Sequence, residues 1–97
     1  MADAIKYVVI WGAGALGEHV HYLLSYDSKT RVSAFLDSDP KQVGKLFHGL
    51  PVLAATRESL VTLKIEGATH GIVAIGDGPL REQFSLLFKE FIGLLEL

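Results

Sequence analysis

Six residues of strand character, Lys6-Tyr7-Val8-Val9-Ile10-Trp11, run directly into Gly12-Ala13-Gly14-Ala15-Leu16-Gly17, and the chain then takes up a helical apolar period. β-Branched and aromatic residues ended by glycine are the signal of a buried strand. The three glycines have the spacing G-x-G-x-x-G, and between a strand and a helix each has a separate task. Gly12 permits a tight turn, Gly14 lets backbone approach a phosphate, and Gly17 lets the helix lie close to the strand. The helix start, at Ala15 and Leu16, offers free N–H groups and partial positive charge to an anion. The same spacing also fits a glycine-rich packing turn that holds no ligand.

The rest of the chain alternates in the same way. Leu16, Val20, Leu23 and Leu24 fall at i, i+4, i+7 and i+8, which predicts one apolar face of a helix from Ala15 to Tyr26. Arg31 to Leu36 reads as a second strand, closed by the turn chemistry of Asp37-Ser38-Asp39-Pro40. Pro40 to Leu46 reads as a polar, mobile loop. Gly49-Leu50-Pro51-Val52-Leu53 is a short extended piece, placed at a sheet edge because Pro51 cannot donate to a ladder. Thr56 is suited to cap a helix that runs to about Glu66, with Glu58 in its first turn. Gly71 to Gly76 reads as a third clear strand, and Pro79 suits the first turn of a last helix with the stripe Leu80, Phe84, Leu87, Phe88 and Phe91.

This order, β-α-β-(β)-α-β-α, predicts a three-layer Rossmann-like α/β domain: a mostly parallel sheet with helices on both faces. Ligands of such sheets lie beyond the carboxyl ends of the strands, where the crossovers diverge. The first strand is the expected switch strand, and the loops after Trp11, Leu36 and Ile75 then share one rim. Asp37 lies twenty residues past Gly17, where an acid commonly meets a ribose diol. It also makes a good turn residue by itself. In Gly76-Asp77-Gly78-Pro79-Leu80-Arg81, Asp77 reads first as a cap for the last helix, with Arg81 one turn on.

Other chemistry finds little support. His19 and His21 are two apart and point to different sides of a helix, His48 adjoins the extended piece, and His70 precedes a strand. Each reads as a surface or packing histidine, so no catalytic residue and no metal site is assigned. Trp11 is read as core in preference to a base-stacking platform. The scattered Lys and Arg and a net charge of −2 argue against a nucleic-acid partner. No stretch has the length of a membrane span, no signal pattern opens the chain, and there are no cysteines, which together predict a cytoplasmic protein without membrane contact. The 97 residues suffice for a single domain. Their apolar share, 49%, suits a sheet covered on both faces.

Several pieces in this order resemble a known group: Tyr7 to Gly14, Ala34 to Pro40, Gly49 to Leu53, and Ala74-Ile75-Gly76-Asp77 with Arg81. Over about residues 5 to 90 the chain is similar to the N-terminal domain of bacterial sugar O- and N-acyltransferases, of the sialic acid O-acetyltransferase and bacillosamine N-acetyltransferase type. The resemblance implies a domain that binds a nucleotide-sugar, usually UDP-linked. Gly12, Gly14, Ala15, Leu16 and Gly17 would hold the phosphates, Asp37 and Ser38 the uridine, and Gly76 and Asp77 would close the other side. In that group a β-helix of hexapeptide repeats follows, which binds acetyl-CoA, carries the catalytic histidine and forms trimers. No such repeat occurs in residues 1–97, so the domain is expected to be non-catalytic alone, and acetyl-CoA would belong to the missing domain. The group's glycine loop commonly continues Gly-Gly-His, where this chain has Ala15-Leu16. Two alternatives stand beside this reading: an NAD(P)-binding domain of an oxidoreductase, and an interaction module with a vestigial pocket. The apolar tail, Phe91, Ile92, Leu94, Leu95 and Leu97, predicts a homo-oligomer.

Overall fold

The structure, a computed structural model, describes residues 4–95. Five strands and three helices follow the chain as β1 (Lys6–Trp11), α1 (Ala15–Leu24), β2 (Thr30–Asp37), β3 (Leu46–Phe47), β4 (Leu50–Ala54), α2 (Arg57–Ile65), β5 (His70–Val73) and α3 (Gly78–Phe91). The sheet order is β3-β4-β2-β1-β5. All pairings are parallel except the β3–β4 hairpin. The crossover through α1 carries the chain from β1 to one side, and that through α2 carries it to the other. β1 is therefore the switch strand, as its position before the glycine loop predicted.

The alternation of side chains along β1 divides the core. Val8 and Ile10 pack with Val20, Leu24, Phe35 and Val52 on the α1 face. Val9 and Trp11 pack with Leu36, Leu60, Leu63 and Phe88 on the face covered by α2 and α3. A register shift after Val8 pairs Val9 with Ala34, and the strand directions of Ala34, Phe35 and Leu36 then serve both faces. Thr56 caps α2, its Oγ1 accepting the Ser59 N–H at 3.2 Å. Asp77 caps α3, its Oδ1 accepting the Leu80 N–H at 3.0 Å, and Pro79 lies in the first turn.

Four local expectations are corrected. Leu16 and Leu23 are exposed, while Gly17, Val20 and Leu24 face the sheet. The helix lies so close to β1 that a narrow stripe suffices, and α1 stops at Leu24. β4 is not the outermost strand, because the two-residue β3 pairs with its far side. Pro51 stands opposite Leu46 there. The segment from Pro40 turns in place, with Gly44 and Lys45 bonded to Val52, before it enters β3 at Leu46. β5 ends at Val73, although the Ala74 N–H still bonds the Trp11 carbonyl. The tail folds back: Leu94 bridges Gly71 in parallel and Leu95 is buried. Leu97 lies outside the described residues.

Candidate functional site

At the carboxyl end of the sheet the backbone of the glycine loop is set by contact. Gly12 has φ 127°, and a Cβ there would lie 2.5 Å from the Ala74 carbonyl oxygen. A Cβ on Gly17 would lie 1.8 Å from the Gly12 carbonyl oxygen. These two glycines let α1 start directly on top of β1. Gly14 differs: its backbone is extended and a Cβ would meet nothing within 4 Å. Gly14 is also the N-cap of α1 and supplies no side-chain cap. The N–H groups of Ala15, Leu16 and Gly17 belong to the first turn, which has no intrahelical acceptors for them.

Asp37 ties this loop to β2. Its Oδ2 accepts the Ala13 N–H at 2.9 Å and its Oδ1 accepts the Asp39 N–H at 2.8 Å. Each carboxylate oxygen keeps a second lone pair for another donor. Trp11, Gly12, Asp37, Ser38, Gly76 and Asp77 line a cleft of about 330 Å³. Asp37 and Ser38 also border a neighbouring cleft of about 400 Å³, whose other walls include Pro40, Val43, Ala54 and Thr56. The two clefts meet at the end of β2, on the rim shared by the loops after β1, β2 and β5.

Of the sequence-predicted residues, Gly12, Asp37, Ser38, Gly76 and Asp77 therefore come together. Gly14 and Leu16 are exposed at the start of α1, and Gly17 is buried beneath them. Ala15 lines a different cleft, on the flank of α1. The α3 N-terminus also faces the rim, but the Asp77 carboxylate occupies it. Arg81 donates its backbone N–H to the Asp77 carbonyl, and its side chain has no ion pair among the described residues. Trp11 is core: it stacks on Phe84 at 3.9 Å between ring centroids and meets Phe88 edge-on.

Sequence reasoning missed one grouping. The α1 flank and the hairpin enclose a cleft of about 510 Å³ into which His21 and His48 come together. Their rings stack at 5.0 Å, and His48 Nε2 lies 3.3 Å from Glu18 Oε2. Burial and the neighbouring His48 hold the His21 pKa below its ordinary 6.5. The two histidines are far apart in sequence, and only the fold of the hairpin joins them. Among the described residues no three His, Cys, Asp or Glu side chains form a metal-binding group. No helix among them is long and apolar enough to cross a membrane.

A parallel sheet with a glycine loop at its switch strand and an open helix N-terminus above it defines a Rossmann-like α/β domain. UDP-D-quinovosamine 4-dehydrogenase from Vibrio fischeri shares this fold, with a TM-score of 0.74 and 19% identity over 94% of this chain and 76% of that one. So does RSP, a Rex-family repressor, with a TM-score of 0.75 and 18% identity over 97% of this chain and 47% of that one. At those identities the likeness is one of fold. Perosamine N-acetyltransferase from Caulobacter crescentus, solved in complex with CoA and GDP-perosamine, has 32% identity over 91% of this chain and a TM-score of 0.74. This chain spans 40% of that protein's length. No curated protein sequence gives a significant match. The PglD N-terminal domain family matches residues 7–86, and the chain belongs to it.

Proposed function

We propose that this domain binds a nucleotide-sugar and, by itself, catalyses no acyl transfer. The diphosphate lies over the open N-terminus of α1, where Gly14 leaves room and the N–H groups of Ala15, Leu16 and Gly17 lack partners. The ribose lies against Asp37 and Ser38, with Asp37 accepting hydroxyl protons on its free lone pairs. The loop of Gly76 and Asp77 forms the opposite wall. One observation carries this reading: three helices begin at the rim, and the chain caps α2 with Thr56 and α3 with Asp77 while leaving α1 without a side-chain cap. An anion thus has one electrostatically suited seat, next to a carboxylate suited to a diol. Membership of the PglD N-terminal domain family and the likeness to an acetyltransferase crystallised with GDP-perosamine support the same reading. Acetyl-CoA and the acyl-transfer step belong to a further domain of the acyltransferase type.

Calorimetric titration with UDP-sugars and GDP-sugars, set against NAD and NADH, tests the proposal. Saturable heat with a nucleotide-sugar and none with the dinucleotides is the expected result. Binding of NAD or NADH alone overturns it in favour of an oxidoreductase-type domain. Silence from every nucleotide leaves an interaction module with a vestigial pocket.

A further inference from the structure

The two-residue turn of the β3–β4 hairpin is His48-Gly49, with φ of 52° and 76°. Both values lie in the left-handed region that a tight hairpin turn demands, where Asn and Gly are the favoured residues. His48 is the one non-glycine residue with positive φ among the described residues. Its imidazole makes three contacts: on Phe47 at 4.6 Å, on His21 of α1 at 5.0 Å, and on the Glu18 carboxylate at 3.3 Å. Phe47 in turn meets Phe35 of β2 edge-on at 4.9 Å. These rings, together with Leu50 and Val52 packed on the same core and the ladder from β4 to β2, seat the hairpin.

We propose that the stacked imidazoles of His21 and His48 form an acid-released latch between α1 and the hairpin. The charges decide the direction. Around the pair stand Glu18, His19 and Tyr22 on α1, and His21 meets the apolar Phe35 ring of β2. His48 Nε2 lies 3.3 Å from the Glu18 carboxylate, which can pair with one imidazolium. A proton on His21 would sit half-buried and stacked against His48, and both circumstances disfavour it. Glu18 balances one positive charge, not two, and the rings then repel. His21 binds a proton more weakly in the folded chain than in the unfolded one. Its contribution is therefore complete above the ordinary imidazole pKa of 6.5 and is lost as pH falls below it.

The latch reaches the rim through the backbone. Gly44 donates its N–H to the Val52 carbonyl at 2.9 Å, and Val52 donates to the Lys45 carbonyl at 3.0 Å. These bonds join the hairpin to the segment whose Pro40 and Val43 wall the cleft beside Asp37. Release of the hairpin loosens that wall, whatever the cleft binds.

Residue-resolved amide hydrogen exchange on the full chain, corrected for intrinsic rates, between about pH 7.5 and pH 5.5 tests the latch. Protection of Gly44 and Val52 is expected to fall several-fold across this range while Val9 and Ile10 stay protected. In His21→Phe, which keeps an aromatic ring that cannot be charged, the fall is expected to vanish. In His48→Asn, which suits the turn but removes the ring, the hairpin is expected to exchange quickly at both pH values. An equal acid-induced fall in His21→Phe overturns the proposal. So does unchanged protection in the parent chain, and so does a parallel loss across β1, which marks global unfolding.

Discussion

Gly17→Ala sets two physical effects against each other with opposite signs. Gly17 is in the first turn of α1, and alanine is intrinsically better than glycine in a helix by about 1 kcal/mol. Helix propensity therefore predicts a more stable protein. The structure predicts the reverse. The added Cβ lies 1.8 Å from the Gly12 carbonyl oxygen and 2.9 Å from its carbon. Both atoms are backbone, held in the loop by the Gly12 N–H bond to the Leu36 carbonyl at 2.7 Å. No rotamer change relieves the clash, so α1 must lift from β1 and loosen the packing of Val20 and Leu24. Overpacking costs about 1–3 kcal/mol when side chains can yield, and a backbone obstacle lies at or above that upper end. Against the gain from propensity, the net loss is about 2 kcal/mol. With a urea dependence of about 1–2 kcal/mol per molar, the midpoint falls by about 1–2 M. The single tryptophan, Trp11, lies buried in the core and reports the transition by fluorescence. Gly14→Ala is the control, since its Cβ meets nothing, and its stability should stay within about 1 kcal/mol of the parent. An unchanged or raised midpoint for Gly17→Ala would refute the claim that close approach of α1 to β1 requires glycine here.

Three further outcomes follow from the same geometry. Gly14→Val should fold normally, because the backbone there is extended and open, yet abolish nucleotide-sugar binding in calorimetry; undiminished binding would make the loop a packing turn only. Asp37→Ala should lose on two counts: affinity roughly tenfold or more, and stability by about 2 kcal/mol as the Ala13 and Asp39 N–H bonds disappear from a half-exposed site. Unchanged thermal stability would show that water replaces the carboxylate at no cost. Ending the chain at Glu90 removes buried Leu95, worth about 1.5–3 kcal/mol, along with half-buried Phe91 and Leu94. The melting temperature should fall by about 10 °C or more, and sedimentation of both forms would show whether self-association depends on the same residues.

What could be read from the sequence was whatever lies within a few residues of its cause. Thr56 and Asp77 cap helices through N–H groups three residues on, and the glycine loop is framed by its own strand and helix. The shared rim followed from chain alternation and the handedness of crossovers. Side-chain partners across long separations were not legible. The Ala13–Asp37 bond, the His21–His48 stack and the Trp11–Phe84 stack each need the sheet order first. Apolar spacing also overstated α1: Leu16 and Leu23 satisfy the period but fall outside the stripe that so close a contact can bury. The β3 pairing escaped notice because two residues are too few to show a period.

That short pairing bears on how the protein behaves at high concentration. An open strand edge is a template on which another molecule can add a strand, and long flat edges invite aggregation. Here one flank of the sheet ends in a strand of two residues, beyond which Gly44 and Lys45 already share their bonds with Val52. The other flank is taken by the chain's own Gly93 and Leu95, both bonded to Gly71. Among the described residues, neither outermost strand, β3 or β5, offers a long run of free backbone donors and acceptors, which makes each a poor template for an added strand.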